Sequence, residues 1–226
     1  KPSSFSPILA MVGIIFIMFT KDEKKKDIGG IFLGFAILMY GMEAMSGAVA
    51  PLADNEKFTG ILTMFSNPIL GLLAGTILTA VIQSSSASVG ILQALCATGA
   101  VNFSTALPII MGQNIGTCVT AIISSIGTSK NAKRAAAVHL FFNISGTVIF
   151  MVVFYTLNTF VHFSFLNTAA SPAGIAVIHS LFNIGATILL LPFANLLEKM
   201  AILAIPDKGS EVEEMEEEKS IQILQD

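Results

Sequence analysis

The sequence is poor in charge and cysteine and contains no tryptophan. Only 12% of its 226 residues are charged, whereas 54% are hydrophobic and the mean hydropathy is +0.78. This balance excludes an ordinary soluble domain. Cys96 and Cys118, the two cysteines, lie in apolar stretches and predict no disulfide framework. No Cys, His and carboxylate cluster has transition-metal spacing. The net charge of −3 comes from the acidic C-terminal end and indicates no nucleic-acid partner.

Apolar stretches of about 20 residues separate the charged clusters, and that length crosses about 30 Å of hydrocarbon. We therefore predict an all-α polytopic protein of the lipid bilayer, with about five spans and one re-entrant helical hairpin. The predicted spans cover residues 6–20, 28–49, 105–126, 135–158 and 173–197. Residues 1–206 form the transmembrane domain and residues 207–226 an acidic tail. Since residue 1 is lysine and the first apolar run is short, we expect a piece of a longer chain rather than a signal peptide.

A polar cluster, Gln83-Ser84-Ser85-Ser86, lies in the middle of the apolar run 68–100. Each arm of that run has about 15 residues, or about 22 Å of helix, which is short for a full span. A re-entrant hairpin with the cluster at its tip fits these lengths better. Unpaired polar groups at that depth cost several kcal/mol each, so the tip is the default candidate for a functional site.

The distribution of basic residues supports the hairpin. With the hairpin, the clusters at 21–26 and 130–134 face the same side and hold seven Lys and Arg residues, against Lys57 and Lys1 on the other side. The positive-inside rule then places both basic loops and the C-terminal tail in the cytoplasm of a cell (plasma or inner) membrane. A single long span over 68–100 would separate the two basic loops.

Two segments of the sequence recur. Gly75-Thr76-Ile77-Leu78-Thr79-Ala80 is repeated as Gly116-Thr117-Cys118-Val119-Thr120-Ala121, and residues 139–147 are repeated at 179–187 with the shared pattern His-x-x-Phe-Asn. The second pair falls on neighbouring antiparallel spans. Its asparagines, Asn143 and Asn183, are therefore predicted to lie at similar depth near the membrane midplane.

The polar residues at two predicted helix breaks have the chemistry of an ion-coupled anion site. We expect the span 105–126 to be interrupted at Gly112-Gln113-Asn114-Ile115-Gly116-Thr117. A broken helix offers N–H groups to an anion and C=O groups to Na⁺. Ser84, Ser85 and Ser86 can donate to phosphate or sulfate oxygens, and Gln83, Gln113 and Asn114 can donate or accept. Thr117 and Thr120 add hydroxyl oxygens suited to an alkali cation.

The polar cluster at 83–86 and the segment 112–117 closely resemble the signature of the type II Na⁺/phosphate cotransporter family. Two downstream segments look like the bacterial branch of that family: Asn131-Ala132-Lys133-Arg134 and His139-x-x-Phe142-Asn143. The resemblance covers about residues 30–195. It implies a core of two inverted repeats, each with a Gln-Ser-Ser-Ser hairpin. This chain has one copy and looks like the second, so an upstream first repeat or another chain would complete the site.

The resemblance further implies that the protein is a secondary active transporter rather than an enzyme. Such a transporter takes up inorganic phosphate with Na⁺ by alternating access and uses no organic cofactor. It implies Na⁺ and phosphate contacts at the two motifs. We expect phosphate at Gln83, Ser84, Ser85, Ser86 and Asn114, together with Asn143 and Asn183. We expect Na⁺ at Gln83, Ser84, Gln113, Thr117 and Thr120.

Other interpretations of the same residues stay open. The hydroxyl groups and the small-xxx-small glycine pairs Gly71/Gly75 and Gly112/Gly116 could serve helix packing alone. Asn143 and Asn183 could clamp each other, His139 and His179 could be interfacial, and Glu43 could reach the membrane surface. Two rival functions are an intramembrane serine hydrolase with Ser85 as nucleophile and His139 as base, and a non-transporting structural or regulatory membrane partner.

Overall fold

The computed structural model describes residues 5–206, without the side chains at positions 46, 49, 52, 53, 58, 59 and 63. The predicted acidic tail, 207–226, lies outside the described residues. The α-helices are α1 (Ser6–Phe19), α2 (Glu23–Val49), α3 (Glu56–Met64), α4 (Pro68–Ile82), α5 (Ser85–Ala97), α6 (Phe103–Ser124), α7 (Lys130–Val161), α8 (Pro172–Leu190) and α9 (Ala194–Ala204). Short 3₁₀ turns lie at Ala50–Asp54, Ser164–Asn167 and Leu191–Phe193. The predicted all-helical class is confirmed for this part of the chain.

Helices α1 and α2 pack through glycine. A methyl group on Gly13 would lie 2.7 Å from the carbonyl oxygen of Gly29, so the two backbones touch. Helix α2 begins five residues before the predicted position 28, because Asp22 accepts a bond from the Lys24 amide and Lys26 pairs with Glu23 at 3.0 Å. Glu43 is exposed on α2.

Helices α4 and α6 run parallel and in backbone contact. Gly71 packs against Pro108, Gly75 against the Ile109 carbonyl, and Gly116 against Thr76 and Thr79, so both chains advance in the same direction. A side chain at Gly75 or at Gly112 would overlap the backbone of the facing helix. The small-xxx-small interpretation of these glycines is therefore the correct one.

The predicted interruption of α6 is wrong. The helix is continuous over Phe103–Ser124, including the Gly-Gln-Asn-Ile-Gly-Thr segment. Gly112 lies against the backbone of Leu72 and Thr76, so this glycine serves close packing with α4 rather than a break. Of the two predicted breaks, only the α4–α5 turn frees backbone groups of helix ends.

Helices α7 and α8 complete the bundle around α6. Cys118 of α6 donates to the His139 carbonyl of α7, and Thr147 of α7 donates to the Met111 carbonyl of α6. The order of these contacts is reversed along the two helices, so α6 and α7 are antiparallel. Helix α8 lies antiparallel to α7, with Gly146 against Ala186 and Phe150 against Phe182. The predicted last span is divided at Pro192, where a 3₁₀ turn separates α8 from α9.

The ends of the helices sort to two sides of the bundle. Arg134, at the start of α7, donates two bonds to the Ile205 carbonyl just after α9, which brings the basic loop and the end of α9 together. At the opposite end, Asn102 and Ala169 form an isolated antiparallel bridge. The α4–α5 pair starts and returns at this second end, because Gly71 lies at Pro108 and α5 leads directly into α6.

Four helical segments have the length and apolarity to cross a membrane: Glu23–Met45, Phe103–Ser124, Lys130–Val161 and Pro172–Ala204. The remaining predicted span, residues 6–20, corresponds to α1, which has 14 residues. The described part of the chain is thus a multi-pass helical membrane protein, while a fifth span and the re-entrant path of α4–α5 stay predictions.

Candidate functional site

Gln83 and Ser84 reverse the chain between α4 and α5. Gln83 ends α4 in the left-handed conformation (φ 57°), and its amide donates to the Thr79 carbonyl. Ser84 is the N-cap of α5, and its hydroxyl accepts a 3.3 Å bond from the Ala87 amide. The amides of the first turn of α5 have no intrahelical partner by the geometry of a helix. The turn therefore presents a partial positive charge beside the serines.

Next to this turn is a cavity of about 210 Å³, formed where α5, α6, α7 and α8 meet. Hydroxyl, amide and imidazole groups line it, together with one phenyl ring. Its lining residues are Ser85, Asn114, Thr117, His139, Phe142, Asn143, His179 and Asn183. The volume is several times the roughly 30 Å³ that one water occupies in the liquid, so a small polyatomic ion fits.

The three asparagines of the cavity are held in the same way. Each side-chain nitrogen donates to the carbonyl four residues earlier on its own helix: Asn114 to Ile110 at 2.9 Å, Asn143 to His139 at 2.9 Å and Asn183 to His179 at 2.8 Å. This bond fixes each amide. The Asn143 side chain also hydrogen-bonds Cys118, while the bond to its own helix leaves each of the Asn114 and Asn183 amides an oxygen and a second hydrogen for other partners. The same side chains can therefore serve an anion or a cation. The alternative of a mutual clamp between Asn143 and Asn183 is not needed to hold them, since each amide is fixed by its own helix.

The structure thus gathers half of the predicted site residues. Ser85, Asn114, Thr117, Asn143 and Asn183 line one cavity, although their sequence positions are up to 98 apart. His139, His179 and Phe142 join them, and these three were not predicted as ligands. The signal that could have found them is the repeated His-x-x-Phe-Asn pattern, which carries each histidine one helical turn from its asparagine.

The other predicted ligands lie around the cavity rather than in its lining. Gln83 is exposed at the tip, and the Ser84 and Ser86 hydroxyls are 3.3 Å apart. Ser86, with Ser85 and His179, lines a wider and mostly apolar cleft of about 680 Å³ between α2, α5 and α8. Thr120 donates to the Thr117 carbonyl on its own helix at 2.8 Å.

Gln113 lies in a buried hydrogen-bonded chain behind the cavity. It is 1% exposed, and its side-chain nitrogen donates to the Ser88 carbonyl at 3.0 Å and to the Ser88 hydroxyl at 2.9 Å. The Thr79 hydroxyl donates to the same Ser88 oxygen at 2.7 Å. The Gln113 side-chain oxygen has no hydrogen-bond partner in the described protein. A buried acceptor left alone is costly, so this atom marks a place for a donor or a cation.

The lining is less suited to the rival hydrolase. Ser85 and His139 do face one cavity. However, the described lining residues include no carboxylate that could orient His139 as a base.

Comparison with known proteins gives related sequences for nearly the whole chain. The family model described as Na⁺/Pi-cotransporter matches residues 1–47 and 37–179. The "Uncharacterized protein YqeW" of Bacillus subtilis is 30% identical over 203 residues, which are 89% of this chain and 64% of that protein. The "Putative inorganic phosphate export protein YjbB" of Salmonella typhimurium is 25% identical over 91% of this chain and 38% of its own length.

A mammalian protein shares a shorter segment. The "Sodium-dependent phosphate transport protein 2A" of Rattus norvegicus is 39% identical over 113 residues, or 47% of this chain and 17% of that protein. The chain therefore spans less than two thirds of the length of each of these relatives. No solved structure matches the chain.

Proposed function

Because the chain belongs to the Na⁺/Pi-cotransporter family, we propose that it forms one repeat of a membrane carrier for inorganic phosphate and that the cavity at the α4–α5 turn is its half of the substrate site. The observation that carries this proposal is the meeting of the Ser85 turn with polar side chains from α6, α7 and α8 in one cavity.

Phosphate fits the donors of this cavity. The Ser85 hydroxyl can donate to an anion, and it lies in the first turn of α5, where the helix N-terminus carries a partial positive charge, as in other anion sites at helix N-termini. Asn114 and Asn183 each have one further N–H to give, whereas the Asn143 side chain also bonds Cys118. The described lining residues include no lysine, arginine or carboxylate, so the charge of the anion needs a balancing ion.

Na⁺ supplies that balance in our proposal. The unpaired Gln113 oxygen is a hard oxygen ligand of the type that an alkali cation prefers. Thr117 and Thr120 donate their hydroxyl hydrogens to backbone carbonyls of α6, which leaves their oxygens as acceptors. Phosphate then binds well only with Na⁺ present, and the Na⁺ gradient drives transport by alternating access.

A second repeat completes the site. The family model matches the chain twice, over 1–47 and 37–179, which supports an internally repeated architecture. The chain also covers only part of each relative. We propose that an upstream first repeat or a second copy faces this one, with α4–α5 as a re-entrant hairpin and with the basic loops and the C-terminal tail in the cytoplasm.

Export is the second candidate direction. It is favoured by one observation, the similarity to a protein named for phosphate export over 91% of this chain. Import follows the Na⁺ gradient and is favoured by the similarity to the sodium-dependent transport protein. The same cavity serves either direction, so only vectorial transport separates them.

The test is [³²P]phosphate flux in proteoliposomes with an inward, an outward or no Na⁺ gradient. The chain is compared alone and joined to an upstream repeat. We expect flux that follows Na⁺, and its loss in Ser85→Ala and Thr117→Val. Ser180→Ala, an exposed serine of α8 outside both cavities, is the control. Unchanged Na⁺-dependent flux in both site variants would reject the proposed site.

A further inference from the structure

We infer that Ser88 and Thr79 are positioning residues for the coupling cation, because together they hold the Gln113 side chain with its oxygen free for Na⁺. This inference rests on the proposed function and concerns two residues that do not line the cavity. They lie on α5 and α4, one on each arm of the predicted hairpin.

The orientation of the Gln113 amide follows from what faces it. The Ser88 carbonyl, 3.0 Å away, can only accept, so the amide must place its nitrogen there and not its oxygen. The Ser88 hydroxyl receives the second bond from the same nitrogen, at 2.9 Å. Two bonds from one nitrogen to one residue fix the plane of the amide, and its oxygen necessarily points away from Ser88.

Thr79 fixes Ser88 in turn. Its hydroxyl donates to the Ser88 hydroxyl oxygen at 2.7 Å, and both residues are 0% exposed. Water therefore cannot replace either partner, and the whole chain of bonds is set by the protein. The bonds join α4, α5 and α6, so any shift of the hairpin tip relative to α6 moves the Gln113 oxygen.

The free oxygen distinguishes this arrangement from ordinary helix packing. A purely structural Thr–Ser–Gln network would be expected to satisfy all its buried atoms, yet the Gln113 oxygen has no partner among the described residues. The hydrogen bonds that hold the Gln113 amide use its nitrogen, and they leave its oxygen, which suits a cation, without a partner among the described residues. Losing a positioning bond should therefore weaken Na⁺ binding first and phosphate binding only through Na⁺.

The experiment separates Na⁺ activation from phosphate affinity in the full chain with its completing repeat. In Ser88→Ala we expect the Na⁺ concentration for half-maximal flux to rise about tenfold, as for the loss of one buried hydrogen bond. The phosphate KM at saturating Na⁺ should change less than about twofold. Thr79→Val should raise the Na⁺ requirement about threefold, and Thr79→Ser, which keeps the hydroxyl, should restore it.

Thr76→Val is the matched control. Thr76 lies one turn before Thr79 on α4 and its hydroxyl also bonds α6, at the Gly112 carbonyl (3.1 Å), but it makes no bond to Ser88 or Gln113. We expect a normal Na⁺ requirement in this variant. The increase in thermal stability on adding Na⁺ without phosphate gives a second readout, which should shrink in Thr79→Val and not in Thr76→Val.

Two results would overturn the inference. One is a reduced maximal flux with an unchanged Na⁺ requirement in both Ser88→Ala and Thr79→Val, which would mean a merely structural network. The other is an equal shift in Thr76→Val. A wild-type protein with neither Na⁺-dependent flux nor stabilisation by Na⁺ would instead reject the proposed function together with this inference.

Discussion

Helices α7 and α8 carry the same His-x-x-Phe-Asn motif, yet they are anchored to the bundle through different positions of it. On α7 the polar positions are buried: Asn143 is 7% exposed, and Thr147 donates to the Met111 carbonyl of α6. On α8 the buried position is Phe182, which packs edge-to-face on Phe150 at 5.1 Å, while Thr187 is exposed and bonds only to its own helix.

The two copies still meet symmetrically. Gly146 and Ala186 occupy the same position, seven residues after the histidine of each motif, and they touch across the antiparallel helices. The repeated residues that matter to the cavity, His and Asn, face it in both copies. The comparison teaches that a repeated motif predicts the lining of a shared cavity, whereas the anchoring of each copy depends on its neighbours.

The largest effect should come from the phenylalanines. Phe182→Ala removes a buried ring of the apolar cluster that also contains Leu107 and Met111, and we expect it to lower the free energy of unfolding by about 3 kcal/mol. Phe142→Ala, at the equivalent position, removes a ring that lines the cavity, and we expect it to lower the free energy of unfolding by about 1 kcal/mol. Denaturant titration of the two purified variants measures both losses. Equal losses would contradict the different anchoring of the two copies.

The asparagines should differ in transport. Asn143→Ala deletes a buried amide that its own helix holds in one orientation toward the cavity, and we expect kcat/KM for phosphate to fall at least about tenfold. Asn183 is half-buried, so water can take its place and Asn183→Ala should cost about threefold. Flux kinetics on both variants, with Asn158→Ala as an asparagine outside the cavity, decide this. A larger loss in Asn183→Ala would reverse the assigned roles.

The threonines should give the smallest difference. Thr147→Val removes one interhelical hydrogen bond, worth about 0.6 kcal/mol in a membrane bundle. Thr187→Val removes a bond within α8 at an exposed position and should leave the free energy of unfolding unchanged. Denaturant titration again measures the free energy of unfolding. A measurable loss in Thr187→Val alone would contradict the different anchoring of α7 and α8.

Much of the fold could be predicted because hydrophobic length and charge are local signals. The turn at Gln83 and Ser84 agrees with the predicted position, since four polar residues in an apolar run indicate an interruption between two helices. The continuity of α6 could not be predicted. Glycines and amides resemble a helix break, and only the parallel contact with α4 shows that Gly112 serves close packing.

The site was only partly predictable for a related reason. Ser85, Asn114 and Asn143 stand out as polar groups in apolar helices. By contrast, Ser88 and Gln113 become partners only through the meeting of α5 with α6, across 25 positions of sequence. The sequence leaves the roles of His139 and His179 open, because a histidine alone does not reveal which helix it will face.

The most direct test of the central claim is equilibrium binding of [³²P]phosphate to the purified protein, titrated with Na⁺ against choline. Coupled binding means that Na⁺ raises the affinity for phosphate, and linkage then requires phosphate to raise the affinity for Na⁺ by the same factor. We predict a clear increase in phosphate affinity with Na⁺ and the loss of this coupling in Ser85→Ala. Phosphate binding that is independent of Na⁺, or unaffected by Ser85→Ala, would contradict a coupled site at the α4–α5 turn.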